Sequence, residues 1–439
     1  MFAVAAIETL ILGAGAAGLA LGCALQSAGA HSFLILESQA QPAGLLGEVY
    51  CGDVGFDLGG HCFTALDESV RDFVSSHVEL HERPRDARCY FEGALIPYPF
   101  QKHFHLLQHT HIVAECVQAL AARNAMDAPR NFRDFLYAQL GEGICRHFAL
   151  PYNSKLWGVP LESMSADWAR ERVVSLASNP TSRPDRAPER LPLDAGSRIG
   201  YPAQGLFAEI AYAMAKRIND RIVCQDAATL IDLNARVVRT ASGRQYRYHM
   251  LVSTLPLHVF LPLCTPELDP GLVKEQNRLT WVPLRLAMIA LDHRISGPMQ
   301  RLYVADPQFP FHKVVFNNTS SPWLESKPCH GIMCECSARA FQGLSDSALV
   351  SALQDFAVTN GWTTRSSITH TKVVSIPFGY PVPTIGCRSS VQQLKTWLRR
   401  RDVRLCGRFA EWEYINSDQV IGRALNLAHT LLSGTEVPA

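Results

Sequence analysis

The sequence predicts an α/β fold whose parallel sheet is assembled from separate stretches of the chain. The buried run Leu10-Ile11-Leu12 leads into a G-x-G-x-x-G motif at residues 13–18 and then into a helical stretch. A second apolar run at residues 33–36 is followed by Glu37, nineteen residues after the last glycine of the motif. This order of strand, glycine-rich turn, helix, strand and acid predicts the βαβ unit of a Rossmann-like, dinucleotide-binding domain.

Each residue type in this turn has a physical role. Gly13 permits the tight turn, Gly15 lets a pyrophosphate approach the backbone, and Gly18 lets the helix pack closely against the sheet. The pyrophosphate then lies at the N-terminal end of the helix dipole, and Glu37 accepts a hydrogen bond from a ribose hydroxyl. The alternative is a tight turn in an α/β protein that binds no cofactor.

Length and composition indicate a globular protein of about two or three domains, with 439 residues of which 47% are hydrophobic. The formal net charge of +1 gives no reason to expect nucleic acid or an anionic membrane as a partner. The apolar N-terminal stretch lacks a basic region, and Glu8 interrupts it. No window approaches the roughly 20 apolar residues of a membrane span. We therefore expect a cytoplasmic protein without a membrane partner.

The thirteen cysteines are scattered and lack C-x-x-C spacing, which indicates small buried residues in a reducing compartment. We assign Cys334 and Cys336, which one residue separates on an apparent strand, to opposite faces of that strand. The His, Cys and Asp residues show no metal-ligand spacing, so we expect no metal site.

The elements that follow the first strand alternate in type. The first helix runs from about Ala16 to Ala28 and ends at Gly29. Glycine-rich segments at residues 42–47 and 56–63 indicate backbone that lies close to a ligand. In a two-nucleotide cofactor such as FAD, the adenosine half uses the first motif, and these segments are the candidates for the flavin half.

A helical region is predicted from about residue 100 to residue 175. Within it, Asn131 caps an amphipathic helix that ends at Gly141. The proline-rich residues 179–188 cannot form regular structure, so they predict a surface loop of lid length. A disordered linker is the alternative for this segment.

The remaining chain is predicted to return to the parallel sheet twice. A helix after Gly205 leads to a β-meander at residues 221–254 with a turn at Ser242 and Gly243. Strand-like runs at residues 280–376 predict an antiparallel sheet, and residues 406–432 predict a short strand, a loop and a closing helix. Such a discontinuous cofactor domain suits flavoproteins better than simple dehydrogenases.

These elements predict three domains. The predicted FAD-binding domain takes residues 1–85, 198–265 and 396–439. The predicted helical domain takes residues 100–197, with a mobile loop at about 175–197. The predicted antiparallel β-sheet substrate domain takes residues 86–99 and 266–395.

Six segments, in order along nearly the whole chain, resemble the UDP-galactopyranose mutase family, and its eukaryotic branch most. They are residues 57–61 (D-x-G-G-H), 96–101 (I-P-Y-P-F-Q), 151–157 (P-Y-N-S-K-L-W), 168–173 (W-A-R-E-R-V), 379–384 (G-Y-P-V-P-T) and 407–414 (G-R-F-x-x-W-x-Y). The resemblance implies a mutase that interconverts the pyranose and furanose forms of a nucleotide-diphosphate sugar, UDP-galactose or a related sugar. The implied cofactor is FAD, active when reduced, and it forms a covalent adduct with the sugar, with no net redox change.

The resemblance also implies the roles of individual residues. His61 lies against the flavin, and Arg172 and Lys313 hold the diphosphate; these three are the implied catalytic residues. The family carries an arginine at the position of Lys313, so this chain keeps the charge but loses the bidentate fork. The implied cofactor-binding residues are Gly13, Gly15, Ala17, Gly18, Glu37, Ser38, Gly44, Leu45, Gly59, Gly60, His61, Ala228, Gly407, Arg408, Asp418 and Gln419. The implied substrate-binding residues are Tyr98, Gln101, Asn153, Trp157, Arg172, Tyr303, Lys313, Tyr380 and Tyr414.

Two alternatives remain at this point. An FAD-dependent oxidoreductase of the amine oxidase or protoporphyrinogen oxidase type shares the glycine motif, but it needs an apolar substrate tunnel. A catalytically silent flavoprotein or nucleotide-binding scaffold keeps the turn at residues 13–18 without turnover. The reductant and the oligomeric state also stay open, with NAD(P)H as a candidate external reductant and a homo-oligomer as a candidate assembly.

Overall fold

A computed structural model describes residues 6–64, 67–123, 128–173, 197–297 and 299–434 of the chain. The predicted mobile loop at about residues 175–197 lies outside the described residues, apart from Ser197. Of the described helices, none is long and apolar enough to cross a bilayer.

The described strands and α-helices alternate along the chain. The strands are β1 (Ile7–Leu12), β2 (Phe33–Leu36), β3 (Glu48–Cys51), β4 (Val54–Asp57), β5 (Leu80–Pro84), β6 (Ala87–Phe91), β7 (Ala94–Pro97), β8 (Arg198–Pro202), β9 (Ile222–Val223), β10 (Ala228–Asp232), β11 (Val237–Thr240), β12 (Gln245–Ser253), β13 (Cys264–Thr265), β14 (Thr280–Leu291), β15 (Arg301–Val304), β16 (Lys313–Val315), β17 (Gly331–Ser337), β18 (Ile368–Val382) and β19 (Val403–Leu405). The α-helices are α1 (Ala16–Ser27), α2 (Glu68–Ser75), α3 (Phe100–His103), α4 (Thr110–Ala121), α5 (Phe132–Ile144), α6 (Leu150–Trp157), α7 (Glu209–Arg217), α8 (Leu257–Phe260), α9 (Pro270–Gln276), α10 (Pro322–Glu325), α11 (Asp346–Thr359), α12 (Cys387–Arg399) and α13 (Ser417–Ser433).

The first sheet draws its strands from the start, middle and end of the chain. β1 pairs in parallel with β2 and β12, β2 pairs in parallel with β9, and β12 pairs in parallel with β19. β10, β11 and β12 form an antiparallel meander that returns the chain to β1. The predicted α/β class with a discontinuous Rossmann-like domain is confirmed, as is the predicted meander.

Helix α1 packs against this sheet because two small residues allow a close approach. The predicted end of α1 at Gly29 is confirmed, since the helix ends at Ser27 and Gly29 has φ +81°. The two small residues that allow the close approach are Gly18 and Gly22. At Gly18, an added Cβ would lie 2.0 Å from the Gly13 carbonyl oxygen. At Gly22, it would lie 2.7 Å from the Ile218 side chain. The third glycine of the motif is therefore required by helix–strand packing.

The second sheet has the strand order β18-β14-β17-β16-β15-β6-β7. All neighbouring pairs are antiparallel except β15 and β6, which are parallel. One face packs on α11 through Ile289, Cys334 and Leu353, and the opposite face packs on the helical region through Met288 and Met333. The sheet is thus covered on one side by α11 and on the other by the helices that carry part of the cavity described below.

The predicted placement of Cys334 and Cys336 on opposite faces is wrong. Both side chains are fully buried in the cluster on the α11 side of β17. Side chains alternate along a strand, so residues two positions apart share a face. The residue between them, Glu335, therefore points to the opposite side, toward the helical region.

Helix α5 begins as predicted, with the Asn131 side chain accepting from the Asp134 N–H at 2.9 Å. The predicted end at Gly141 is confirmed, because Gly141 has the non-helical angles φ +73° and ψ 169°, and a second short helical segment follows it to Ile144. An added Cβ at Gly141 would lie 2.8 Å from the Ala119 carbonyl oxygen on α4. The glycine therefore ends the first helical segment and also permits a close crossing of α4 and α5.

A buried carboxyl group joins the β3–β4 hairpin to β8 and to the segment before α7. Asp57 ends β4 and is fully buried, and it accepts from the Tyr201 hydroxyl at 2.9 and 3.0 Å and from the Phe207 N–H at 3.0 Å. Burial raises the pKa of Asp57 to about 7. These hydrogen bonds fix the start of the glycine-rich segment that begins two residues later.

The packing of the first turn predicts different results for two Gly→Ala changes. Gly18→Ala places a Cβ against the Gly13 carbonyl, and we expect it to destabilise the apoprotein by about 1–3 kcal/mol, as overpacking does. Gly15→Ala is the matched control, because its added Cβ has no neighbour closer than 3.9 Å. We expect that change to stay within about 0.5 kcal/mol of the wild type. Urea unfolding measures both, and equal stability of the two variants would contradict the packing role of Gly18.

Candidate active site

The glycine-rich turn at residues 13–18 meets two other backbone segments. Ala43 pairs with Gly15 as an isolated bridge, and an added Cβ at Gly44 would lie 3.1 Å from the Gly15 Cα. Gly407, with φ +114°, faces Ala17, because its added Cβ would lie 3.2 Å from the Ala17 Cβ. Three segments far apart in sequence therefore form one backbone cradle at the N-terminus of α1.

Glu37 lies beside this cradle at the end of β2. Its carboxylate accepts from the Ala14 N–H at 2.7 Å and the Gln39 N–H at 2.9 Å, and the Ser38 hydroxyl donates to it at 3.2 Å. The Asp226 N–H donates to the Glu37 carbonyl at 3.0 Å, which brings the start of β10, and with it Ala228, to the same edge. The structure therefore brings the predicted adenosine-side residues together around the carboxyl ends of parallel strands.

The second glycine segment lies between the two sheets. The Gly60 N–H donates to Glu335 Oε1 at 2.8 Å, and the His61 ring stacks on Phe207 with centroids 5.1 Å apart. His61 Nδ1 is buried without a hydrogen-bond partner among the described residues. Burial, with the positive charge of Arg301 nearby, lowers the pKa of His61 to about 3, so its imidazole is neutral at physiological pH.

Helix α13 begins at the same place. Asn416 and Gln419 form a capping box, and the Gln419 side-chain oxygen accepts from the Asn416 N–H at 3.2 Å. Asp418 is buried and accepts from the Thr64 hydroxyl at 3.0 Å. The first turn of this helix therefore lies close to the glycine segment at residues 59–61.

A cavity of about 290 Å³ lies between the glycine segments, the second sheet and the helical region. Five cationic side chains and one carboxylate line it among the described residues. Its lining includes Leu45, Gly59, Gly60, His61, Cys62, Arg85, Tyr98, Gln101, Tyr152, Asn153, Trp157, Arg172, Arg301, Tyr303, Lys313, Glu335, Tyr380, Arg408 and Tyr414. All nine predicted substrate-binding residues therefore face one cavity.

Lys313 is ion-paired within this cavity. β16 and β17 place it directly opposite Glu335, and the Nζ–Oε2 distance is 2.8 Å. The Tyr380 hydroxyl donates to the same Oε2 at 2.9 Å. Burial alone would raise the pKa of Glu335, but the Lys313 charge outweighs burial and holds that pKa well below its usual value. In return, Glu335 raises the pKa of Lys313 against the effect of burial, so both groups are charged at neutral pH.

Tyr303 lies opposite Lys313 on β15, beside two further cations. Arg85 donates to the Tyr303 hydroxyl at 2.8 Å, and its guanidinium lies 4.8 Å from the centre of the Tyr98 ring. Burial raises the pKa of the Tyr303 phenol, but the charges of Arg85 and Arg301 outweigh burial and lower the pKa below its usual value. This side of the cavity therefore favours negative charge.

Arg172 follows the short helical turn Asp167–Glu171 and lines the same cavity. Its guanidinium lies 4.7 Å from the centre of the Tyr414 ring and donates to the Tyr414 carbonyl and to the Asn416 side chain. Arg408 donates to the Ile415 carbonyl at 2.6 Å and the Gly379 carbonyl at 3.2 Å. Both guanidinium groups are thus held by backbone around the start of α13.

Aromatic and amide side chains from the helical region close the cavity. Trp157 packs edge-on against Tyr414 and Tyr380, with ring centroids 5.3 and 6.3 Å apart. Asn153 uses its amide nitrogen to donate to the Ala149 carbonyl one helical turn earlier, at 2.8 Å. Gln101 is buried at the start of α3. The cavity thus has aromatic and amide groups on its helical side and charged groups on its sheet side.

Three charged residues of this cavity were not predicted from the sequence, namely Arg85, Arg301 and Glu335. Arg301 could have been found, because it precedes Tyr303 by two positions on a strand and so shares its face. Glu335 needed the register between β16 and β17, and Arg85 needed the fold of the loop before β6. Neither is readable from a single sequence.

Comparisons with known proteins support the architecture. Residues 11–76 match the NAD(P)-binding Rossmann-like domain family. The chain is similar to the structure of reduced UDP-galactopyranose mutase, with a TM-score of 0.87 and 22% identity over 98% of this chain and 96% of that chain. It is also similar to a protein from Exiguobacterium proposed to be a protoporphyrinogen oxidase (TM-score 0.73, 15% identity, 98% and 100% covered) and to a putrescine oxidase bound to putrescine (TM-score 0.66, 12% identity, 98% and 99% covered). The chain therefore has the fold that these proteins share.

Proposed function

We propose that the protein is a flavin-dependent mutase that interconverts the pyranose and furanose forms of a nucleotide-diphosphate sugar. UDP-galactose or a related sugar is the proposed substrate, and reduced FAD is the proposed active cofactor. The observation that carries the proposal is the cavity beside the dinucleotide cradle, in which cations outnumber carboxylates five to one among the described residues.

The residues present fit FAD. The cradle of Gly13, Gly15 and Gly44 offers backbone without side chains at the N-terminus of α1, where a pyrophosphate is stabilised. The second glycine segment ends in His61, whose Nδ1 is buried without a described partner and so has a hydrogen bond to offer a ligand. When bound and reduced, the flavin supplies a nucleophilic ring nitrogen toward the anomeric carbon of the sugar.

The chain's own residues suit the rest of this chemistry. Arg172 and Arg301 supply fixed positive charge where a diphosphate leaves and returns, which keeps it bound between the two events. Neutral His61 can accept or donate a hydrogen bond at one ring nitrogen beside the glycine backbone. Trp157, Asn153 and Gln101 offer an aromatic face and amide groups to a nucleoside.

An oxidase is the second candidate, because two of the similar structures are those of a putrescine oxidase and of a protein proposed to oxidise protoporphyrinogen. The charge of the cavity argues against an apolar substrate, since five buried or half-buried cations are costly beside a neutral apolar molecule. The two functions differ in whether the substrate changes the redox state of the cofactor.

NAD(P)H remains the proposed external reductant for the mutase.

The proposed mechanism predicts that turnover depends on the redox state. We expect dithionite-reduced, flavin-loaded protein to convert UDP-galactopyranose or a close analogue into a furanose product, which chromatography separates from the substrate. The oxidised protein is the control and should give no product. Equal turnover in both states, or reduction of the flavin by an added substrate under anaerobic conditions, would be incompatible with this function.

Arg172→Ala is predicted to weaken UDP binding. Charge-assisted hydrogen bonds contribute about 1.5–3 kcal/mol each, so we expect the Kd to rise about 10- to 150-fold. Arg170→Ala is the matched control, because Arg170 is exposed on the same segment and lies outside the cavity. Calorimetry measures both variants, and an unchanged Kd in Arg172→Ala would remove this residue from the proposed diphosphate site.

Lys313→Arg is predicted to tighten UDP binding. Lysine has three donors, and in this structure the ammonium group already binds Glu335 and lies 3.5 Å from the Tyr380 hydroxyl. A guanidinium with five donors can hold Glu335 and a phosphate together, so we expect the Kd to fall about 3- to 10-fold. Lys372→Arg on the exposed part of β18 is the control. A Kd for UDP that rises in Lys313→Arg would contradict this prediction. It would indicate that the cavity is shaped for a lysine at this position.

A further inference from the structure

Lys155 is a buried cation that the proposed reaction does not use. It lies on α6 between Asn153 and Trp157, which both line the cavity, and its own side chain is 7% exposed. A buried ammonium group is costly unless every proton has an acceptor. Lys155 therefore needs an account of its own.

The ammonium group of Lys155 donates to three backbone carbonyl oxygens. These belong to Val304 at 3.0 Å, Asp306 at 2.6 Å and Phe311 at 3.0 Å. The three donors of a lysine are therefore all used, and all three acceptors are main-chain atoms of one connection. We call this set of hydrogen bonds the Lys155 contact.

That connection joins β15 to β16, the two strands that carry Tyr303 and Lys313. These two residues are directly opposite each other in the strand register. Val304 follows Tyr303 at once, and Phe311 precedes Lys313 by two positions. The Lys155 contact therefore acts on the backbone next to both side chains at the sheet side of the cavity.

A second contact at the end of α6 limits how the helix can move against the sheet. Gly158 follows the helix in the left-handed conformation, with φ +60°. An added Cβ there would lie 2.6 Å from the Ala340 nitrogen, just after β17. Helix α6 is thus fixed to the second sheet at its end and, through Lys155, at the β15–β16 connection.

We propose that Lys155 is a positioning residue that sets the distance between the two walls of the cavity. One wall is Asn153 and Trp157 on α6, and the other is Tyr303 and Lys313 on β15 and β16. The inference rests on the proposed function, in which the first wall holds the nucleoside and the second holds the diphosphate. The Lys155 contact then fixes the span between the two parts of one ligand.

The chemistry of the contact argues for positioning over simple packing. Burial lowers the pKa of Lys155 to about 7, even though the charge of Asp306 acts in the opposite direction. An apolar side chain of similar length would fill the same space but would leave the three carbonyl oxygens buried without this donor. Only a side chain with three donors, as an ammonium group has, can hold all three carbonyls in fixed directions at once.

The test compares Lys155→Met with Lys155→Arg and with Lys216→Met, a change of an exposed lysine on α7. The measurements are the Kd for UDP, and KM and kcat for UDP-galactose with dithionite-reduced protein. We expect Lys155→Met to raise Kd and KM at least tenfold with kcat within threefold, because the contact does not touch the backbone at residues 59–61. Lys155→Arg should restore both constants to within threefold, and Lys216→Met should change neither.

A folded Lys155→Met protein with unchanged Kd and KM would overturn the proposal, as would a loss confined to kcat. If Lys155→Met does not fold, Lys155→Gln gives the same comparison with two amide donors retained. Hydrogen exchange provides a second measurement that needs no ligand. Amides of residues 304–313 should exchange faster in Lys155→Met than in Lys216→Met, while β14 is unchanged.

The binding measurement and the exchange measurement together distinguish a failure of this inference from a failure of the proposed function. If the wild type does not bind UDP, the proposed function fails and the exchange measurement still decides whether Lys155 fixes the connection. If the wild type binds UDP and the exchange of residues 304–313 is unchanged in Lys155→Met, the positioning role fails and the proposed function stands.

Discussion

The cavity depends on one buried carboxylate, that of Glu335. Its Oε1 accepts from the Gly60 N–H, and its Oε2 accepts from Lys313 and from the Tyr380 hydroxyl. Gly60 belongs to the glycine segment beside the Rossmann-like domain, whereas the other partners lie on the second sheet. One side chain therefore joins the two halves of the site. Because a buried carboxylate left without its partners is strongly destabilising, this arrangement fixes the approach of the two sheets.

The same carboxylate sets the charge of the cavity. It compensates Lys313 and leaves four other cations around the remaining volume. Those cations are held by aromatic rings and backbone carbonyls, as in the contacts of Arg172 with Tyr414 and of Arg408 with Gly379. Neutral acceptors fix the direction of a guanidinium without cancelling its charge. The cavity therefore retains a positive potential with little freedom in its cationic groups.

Local patterns in the sequence predicted the parts of this structure that depend on neighbouring residues. The turn from Gly13 to Gly18, the Asn131 cap and the meander each follow from short-range rules, and the structure contains all three. The predicted site residues lie around one cradle and one cavity, while their roles stay predictions. The failures are of another kind. Glu335 was missed because its place in the cavity depends on strand register, which long-range packing decides.

The topology of the first sheet has a consequence for synthesis of the protein. β1 is made first, but its partner β12 lies about 240 residues later. β19, which pairs with β12, follows only near the end of the chain. While the residues between β2 and β12 are synthesised, β1 has β2 on one side and no partner strand on the other. High contact order of this kind slows folding and favours aggregation of intermediates. β1 thus gains its second neighbour only when the middle of the chain has been made, and the carboxyl-terminal part of β12 gains β19 only after residue 405.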